Sequence, residues 1–97
     1  LRLSQFEIRF EIRFISTSAL VAFTARHPAA GLPLQVWRRI IESRAFAGFS
    51  DIRKTFNSVD RVENFYVFDI GGNKYRIVAA LHFDKQRLYV RYVFTHK

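Results

Sequence analysis

The sequence has no cysteine, which excludes disulfides and thiolate metal sites and fits a reducing compartment. It has no methionine either, so the start at Leu1 reads as trimmed or as a non-standard start codon. Long apolar runs are missing. A stretch such as "IVAAL" at 77–81 is far shorter than the roughly 20 residues of a membrane-crossing helix, so no membrane partner is expected. No charged-then-apolar signal segment opens the chain. A Ser-His-Asp set, a phosphate-binding loop and metal-ligand spacing are all missing, so neither a metal nor another cofactor is expected. Acid is scarce: 8 Asp and Glu stand against 16 Lys and Arg, a net charge of +8.

What is present supports one small domain over residues 1–97 with a substantial core. Apolar residues make up 49% of the chain, among them eleven Phe, four Tyr and one Trp. A chain of this size buries roughly 60–65% of the surface its unfolded form exposes, so each large apolar side chain matters. The positive charge favours a polyanion or an acidic protein as partner. It is concentrated late. Residues 74–97 hold Lys74, Arg76, Lys85, Arg87, Arg91 and Lys97 against Asp84 alone, so six cations less one acid give +5.

Residues 6–15 alternate strictly, with Phe6, Ile8, Phe10, Ile12 and Phe14 on one parity and Glu7, Arg9, Glu11 and Arg13 on the other, which predicts a half-buried strand. "STS" at 16–18 supplies an N-cap for a short helix running to Arg26, which Pro28 ends. Gly31 and Pro33 open a second helix. Its buried stripe is Leu34, Trp37 and Ile41, widened by Val36 and Ile40. Residues 49–64 read mainly as irregular connection, with one helical turn capped by Ser50. Strands follow at about 65–70, 74–83 and 87–95. The order β-α-α-β-β-β predicts an α+β domain with both N-terminal helices on one face of an antiparallel sheet.

Strand parity locates a candidate site, because successive side chains face opposite ways. In 74–83 the odd residues Tyr75, Ile77, Ala79, Leu81 and Phe83 form the core face. The even residues Lys74, Arg76, Val78, Ala80 and His82 form an open face. In 87–95 the even residues Leu88, Val90, Tyr92 and Phe94 are expected in the core. Matching core to core demands an even-length loop, and pairing Phe83 with Leu88 around "DKQR" satisfies it. Leu81 then meets Val90, Ala79 meets Tyr92 and Ile77 meets Phe94. On the open face, His82 meets Tyr89, Ala80 meets Arg91 and Arg76 meets Thr95. Lys74, Arg76, His96 and Lys97 gather at one end. For the preceding hairpin, turns at 71–72 or 72–73 both serve, the first setting Asp69 opposite Lys74.

Cations without acidic ligands suit binding or cleaving a phosphodiester without metal. RNA carries its own nucleophile, the 2′-OH. Arg76 can hold two phosphate oxygens, although it can also simply pair with Asp69. Lys74 or His96 can supply proton transfer if its pKa lies near neutral. Lys54, Arg91 and Lys97 can add positive field. Tyr89 and His82 offer surfaces on which unstacked bases rest. The rival readings are a non-catalytic basic sheet that binds single-stranded nucleic acid, or a domain that meets an acidic protein partner.

The segments "HPAAGLPLQVW" (27–37), "DIRKTF" (51–56), "FDIGGNKYRIVAALHF" (68–83) and "VRYVFTHK" (90–97), in that order, resemble the HigB toxins within the RelE-like group of toxin–antitoxin systems. The resemblance implies a cytoplasmic, metal-independent endoribonuclease that cuts mRNA on the ribosome, with RNA on the concave sheet face. It also implies a HigA-like helix-turn-helix antitoxin as partner. The group's "YR" arginine matches Arg76, its basic position after the last strand matches Thr95-His96-Lys97, and Lys54 lies near a position usually basic. The family pattern continues into an acidic-tyrosine segment that does not follow Lys97, so a C-terminal family segment is expected to be missing. Residues 1–7 read as an extension outside the family pattern.

Overall fold

The computed structural model describes residues 13–14 and 18–95. Strand β1 (Arg13–Phe14) precedes helix α1 (Ser18–Arg26). A 3-10 turn at Pro28–Ala30 leads into α2 (Gly31–Glu42), followed by α3 (Phe49–Thr55). Four strands complete the chain: β2 (Asp60–Val62), β3 (Phe65–Ile70), β4 (Tyr75–His82) and β5 (Arg87–Thr95). The sheet order is β1-β5-β4-β3-β2, with β2 to β5 antiparallel and β1 joined parallel along the outer edge of β5. The α+β class and the antiparallel sheet are as the sequence implied. Of the strand predicted over 6–15, residues 6–12 and 15 lie outside the described residues.

The core lies between the helices and one sheet face. From the helices come Leu20, Phe23, Leu34, Trp37, Ile41 and Ile52, and from the strands Tyr66, Phe68, Ile70, Tyr75, Ile77, Ala79, Leu81, Leu88 and Val90. Aromatic edges knit it: Trp37 and Phe56 both meet the Phe68 ring, at 5.2 and 5.3 Å between centroids, the edge-to-face geometry that ring quadrupoles favour. Val36 and Ile40 do not widen the α2 stripe; both are exposed. At 3.6 residues per turn each sits about 100° from its buried neighbour, Trp37 or Ile41, which carries it toward solvent.

The stretch 49–64 is more ordered than its composition suggests. Gly48, not Ser50, is the N-cap residue of α3, and it supplies no side-chain cap. Asp51 does related work, accepting from the Ala47 N–H at 2.9 Å and from Arg44 Nη2 at 2.8 Å. The backbone bond first, and then Arg44, hold its carboxyl below the usual range. Strand β2 then pairs with β3, Val62 opposite Phe65, across a Glu63-Asn64 turn in which Glu63 takes a left-handed φ of 58°. All three β2 residues are exposed, so no alternation in the sequence announces it.

The β3–β4 turn takes the second of the two predicted settings. Ile70 faces Tyr75 and Asp69 faces Arg76 rather than Lys74. Gly71, Gly72 and Asn73 all have positive φ, at 63°, 63° and 77°. A Cβ on Gly71 would stand 3.3 Å from the Tyr75 ring and 3.4 Å from Pro33 of α2.

The β4–β5 hairpin is where the predicted pairing fails. Leu81, not Phe83, lies opposite Leu88, and His82 lies opposite Arg87. The turn is residues 83–86, with Gln86 at φ 53°. The Gln86 amide fixes this shifted register, donating to the carbonyls of Phe83 (2.6 Å) and Phe46 (2.8 Å) and accepting from the Phe46 N–H (3.1 Å). A β-bulge follows: Ala79 faces Val90 but Val78 faces Tyr92, leaving Arg91 as the extra residue. An extra residue reverses parity beyond it. Ile77 therefore faces Val93, Arg76 faces Phe94 and Tyr75 faces Thr95. Val93 packs on the core, whereas Tyr92 and Phe94, expected inside, are 64% and 43% exposed.

Candidate nucleic-acid interface

The sheet face away from the helices carries the candidate site. Residues paired across antiparallel strands share a face, so its rows follow from the register. One row runs Asp69, Arg76, Phe94; the next runs Asp60, Val67, Val78, Tyr92. Further along, Ala80 faces Tyr89 and His82 faces Arg87. Val78 and Ala80 are small, so the middle of this face is low.

Arg76 is the centre. Its Nε donates to Asp69 Oδ1 at 3.0 Å, and the side chains are 37% and 21% exposed. One side of the guanidinium is thus oriented by a carboxylate, and its paired Nη groups belong to a partly open surface. Beside it lies a cleft of about 160 Å³ lined by Ser58, Asp60, Val62, Val67, Asp69 and Arg76. An arginine fixed at Nε presents two parallel donors, the geometry that fits two oxygens of one phosphate.

The other predicted residues divide. Arg91 is exposed at the bulge, next in sequence to Tyr92. Lys74 is exposed in the turn, two residues before Arg76, and does not face Asp69. Tyr89 and His82 do share the open face, their rings meeting edge-on at 5.3 Å. They lie at its far end, however, since the six residues from Arg76 to His82 span about 20 Å of strand. Lys54 is exposed on α3, where its charge helps depress the Asp51 carboxyl. His96 and Lys97 lie outside the described residues, so the predicted convergence of Lys74, Arg76, His96 and Lys97 falls outside what the structure describes. Among the described residues, no group of three or more His, Asp or Glu is placed to hold a metal ion. No helix there is long and apolar enough to cross a membrane.

Sequence reasoning missed Tyr92 and Phe94, along with the cleft residues Ser58, Asp60 and Val62. A signal for the first two existed. Tyr92, Val93 and Phe94 are consecutive large apolar residues, and a strand buried on one face cannot take all three inward.

Comparison with known proteins agrees with this architecture. Residues 30–97 match the family model HigB_toxin, described as the RelE-like toxic component of a toxin-antitoxin system. The chain is 30% identical over 89 residues to the mRNA interferase toxin HigB of Escherichia coli (strain K12), covering 89% of this chain and 86% of that protein. The same figures hold for mRNA interferase HigB of Shigella flexneri. A further mRNA interferase HigB, from Escherichia coli O6:H1, is 26% identical over 88 residues, 88% of this chain and 85% of its own length. With its helices, its antiparallel sheet and a matched segment that includes the whole Arg76 row, the chain belongs to the HigB toxin family, the RelE-like toxic component of a toxin–antitoxin system.

Proposed function

We propose that this chain is an mRNA interferase, a metal-independent endoribonuclease that cuts mRNA on the ribosome. The observation that carries the proposal is Arg76, half-buried on the open sheet face, oriented through Nε by Asp69 at 3.0 Å, with a cleft at its side. In the reaction the RNA's own 2′-oxygen attacks the adjacent phosphorus as its proton passes to a base. The bond from phosphorus to the 5′-oxygen breaks, and that oxygen takes up a proton. The products are a 2′,3′-cyclic phosphate and a 5′-hydroxyl.

Arg76 binds the scissile phosphate and stabilises the charge that builds on it. A well-placed donor of this kind contributes on the order of 10²–10³ in rate. His96 is the proposed proton-transfer group and Lys74 a second cation at the reacting end. Lys54, Arg91 and Lys97 hold the RNA backbone, with Tyr89 and His82 further along the strand path. The toxin family implies an antitoxin partner; we infer a HigA-like protein with a helix-turn-helix domain. Action on translating mRNA places the protein in the cytoplasm.

Induced expression tests the reading. Growth should arrest, and new mRNA 5′ ends should map inside translated codons. Arg76→Ala should relieve the arrest while the purified variant keeps its thermal transition. Arrest without RNA cleavage, or a folded Arg76→Ala protein of undiminished toxicity, would remove the proposed chemistry.

A further inference from the structure

We propose that Tyr92 and Phe94 form a base-stacking subsite for single-stranded RNA beside Arg76; its ligand class rests on the nuclease reading above. Both rings reach the open face only because of the Arg91 bulge. Without the extra residue their parity would send them into the core, and Val93, now packed on the core, would face outward. The bulge thus leaves two large rings 64% and 43% exposed on a small domain.

Their placement identifies the occupant. Phe94 lies directly across the ladder from Arg76, and Tyr92 lies across from Val78. Two residues apart on one strand face, they stand about 7 Å from each other. Val78 leaves a low floor between Tyr92 and the cleft. The charged groups on and beside this face favour a polyanion: Arg76, Arg91, Arg87 and the turn residue Lys74 are cationic. Of the acids, Asp69 is paired with Arg76, Asp60 sits on the edge strand β2, three strands from the rings, and Glu63 and Asp84 lie in the β2–β3 and β4–β5 turns. A base resting on Phe94 would have its phosphate within reach of Arg76. Stacking needs unpaired bases and tolerates any of them, because every base has a π-face. The subsite therefore holds single strands without choosing their sequence.

The test measures binding of the whole protein to a fluorescent single-stranded RNA oligomer, made uncleavable by 2′-O-methylation, at fixed salt. Tyr92→Leu and Phe94→Leu keep apolar bulk on the strand, and each should weaken binding roughly five- to hundred-fold, the effect of losing one base stack. Tyr92→Phe and Phe94→Tyr should stay within about two-fold of wild type. The salt dependence should not change in any of the four, since no phosphate contact is removed. Leucine variants that bind like wild type would overturn the subsite. So would aromatic swaps as damaging as leucine, or rings that matter only for capturing the antitoxin. The two proposals fail separately: ring-dependent binding by a wild-type protein that leaves mRNA uncut on translating ribosomes refutes the nuclease alone. Cleavage with ring-independent binding refutes the subsite alone.

Discussion

The pairing of Arg76 with Asp69 admits two readings that a double-mutant cycle separates. If the pair is mainly structural, breaking it should unfold much of the sheet. If it orients a phosphate-binding arginine, breaking it should cost little stability and much activity. The structure favours the second. The single Nε–Oδ1 contact is 3.0 Å and the side chains are 37% and 21% exposed. Half-solvated pairs are screened and contribute about 1 kcal/mol or less, whereas leaving one member of a fully buried pair costs roughly 3–5 kcal/mol. We expect Asp69→Asn, Arg76→Gln and the double variant to give a coupling energy of about 1 kcal/mol by urea denaturation. Each single change should lower the Tm by no more than about 8 °C in a domain of this size. Toxicity should divide differently. Arg76→Gln loses the charge that meets the phosphate and should reduce cleavage by about 10²–10³. Asp69→Asn keeps an acceptor for Nε and should stay within about tenfold of wild type. A coupling energy near 4 kcal/mol, or cleavage lost equally in both variants, would show that the pair supports the fold and that Arg76 has no separate role.

Three further outcomes follow from local geometry. Gly71→Ala should destabilise the protein by about 1–2 kcal/mol in chemical denaturation, because φ is 63° and a Cβ there is strained in the left-handed region. Gln86→Ala removes two hydrogen bonds to the Phe46 backbone and one to the Phe83 carbonyl within the turn. It should cost about 2–3 kcal/mol, with faster amide exchange at Phe46, since backbone groups lose their partners there. Asp51 has its carboxyl depressed by the Ala47 N–H and Arg44, so its contribution is complete above the ordinary carboxylate value of about 3.9 and disappears as pH falls through the lower folded value. The stability gap between wild type and Asp51→Asn should be constant near neutrality and close below about pH 4; a gap that widens on acidification would contradict the assignment.

The elements that the sequence makes legible are those whose side chains report burial. Leu34, Trp37 and Ile41 mark α2, and Tyr75, Ile77, Ala79 and Leu81 mark β4, because each set falls on one face at the spacing of its own element. Arg76 was legible for the same reason, as the polar member of an alternating strand. Strand β2 was not, because all of its residues are exposed and the hydrogen bonds that define it leave no trace in hydropathy. The β4–β5 register was not legible either. Setting Leu88 opposite Phe83 or opposite Leu81 satisfies parity equally well, and the choice rests on Gln86 reaching a segment forty residues away.

The bulge at Arg91 explains why the parity argument outlined only half of the candidate surface. Counting alternate residues along β5 is valid only while the ladder is unbroken, and one inserted residue exchanges the two faces for everything beyond it. Up to Val90 the expected faces hold; from Tyr92 on they are reversed. The rule therefore placed Arg76, on the unbulged β4, and Tyr89, before the bulge on β5, on the open face, and sent Tyr92 and Phe94 to the wrong layer. The same local irregularity that breaks the pattern brings two rings alongside the one arginine held by Asp69. In this fold the departure from regular pairing and the candidate site are one feature, and a sequence read by strict alternation loses both together.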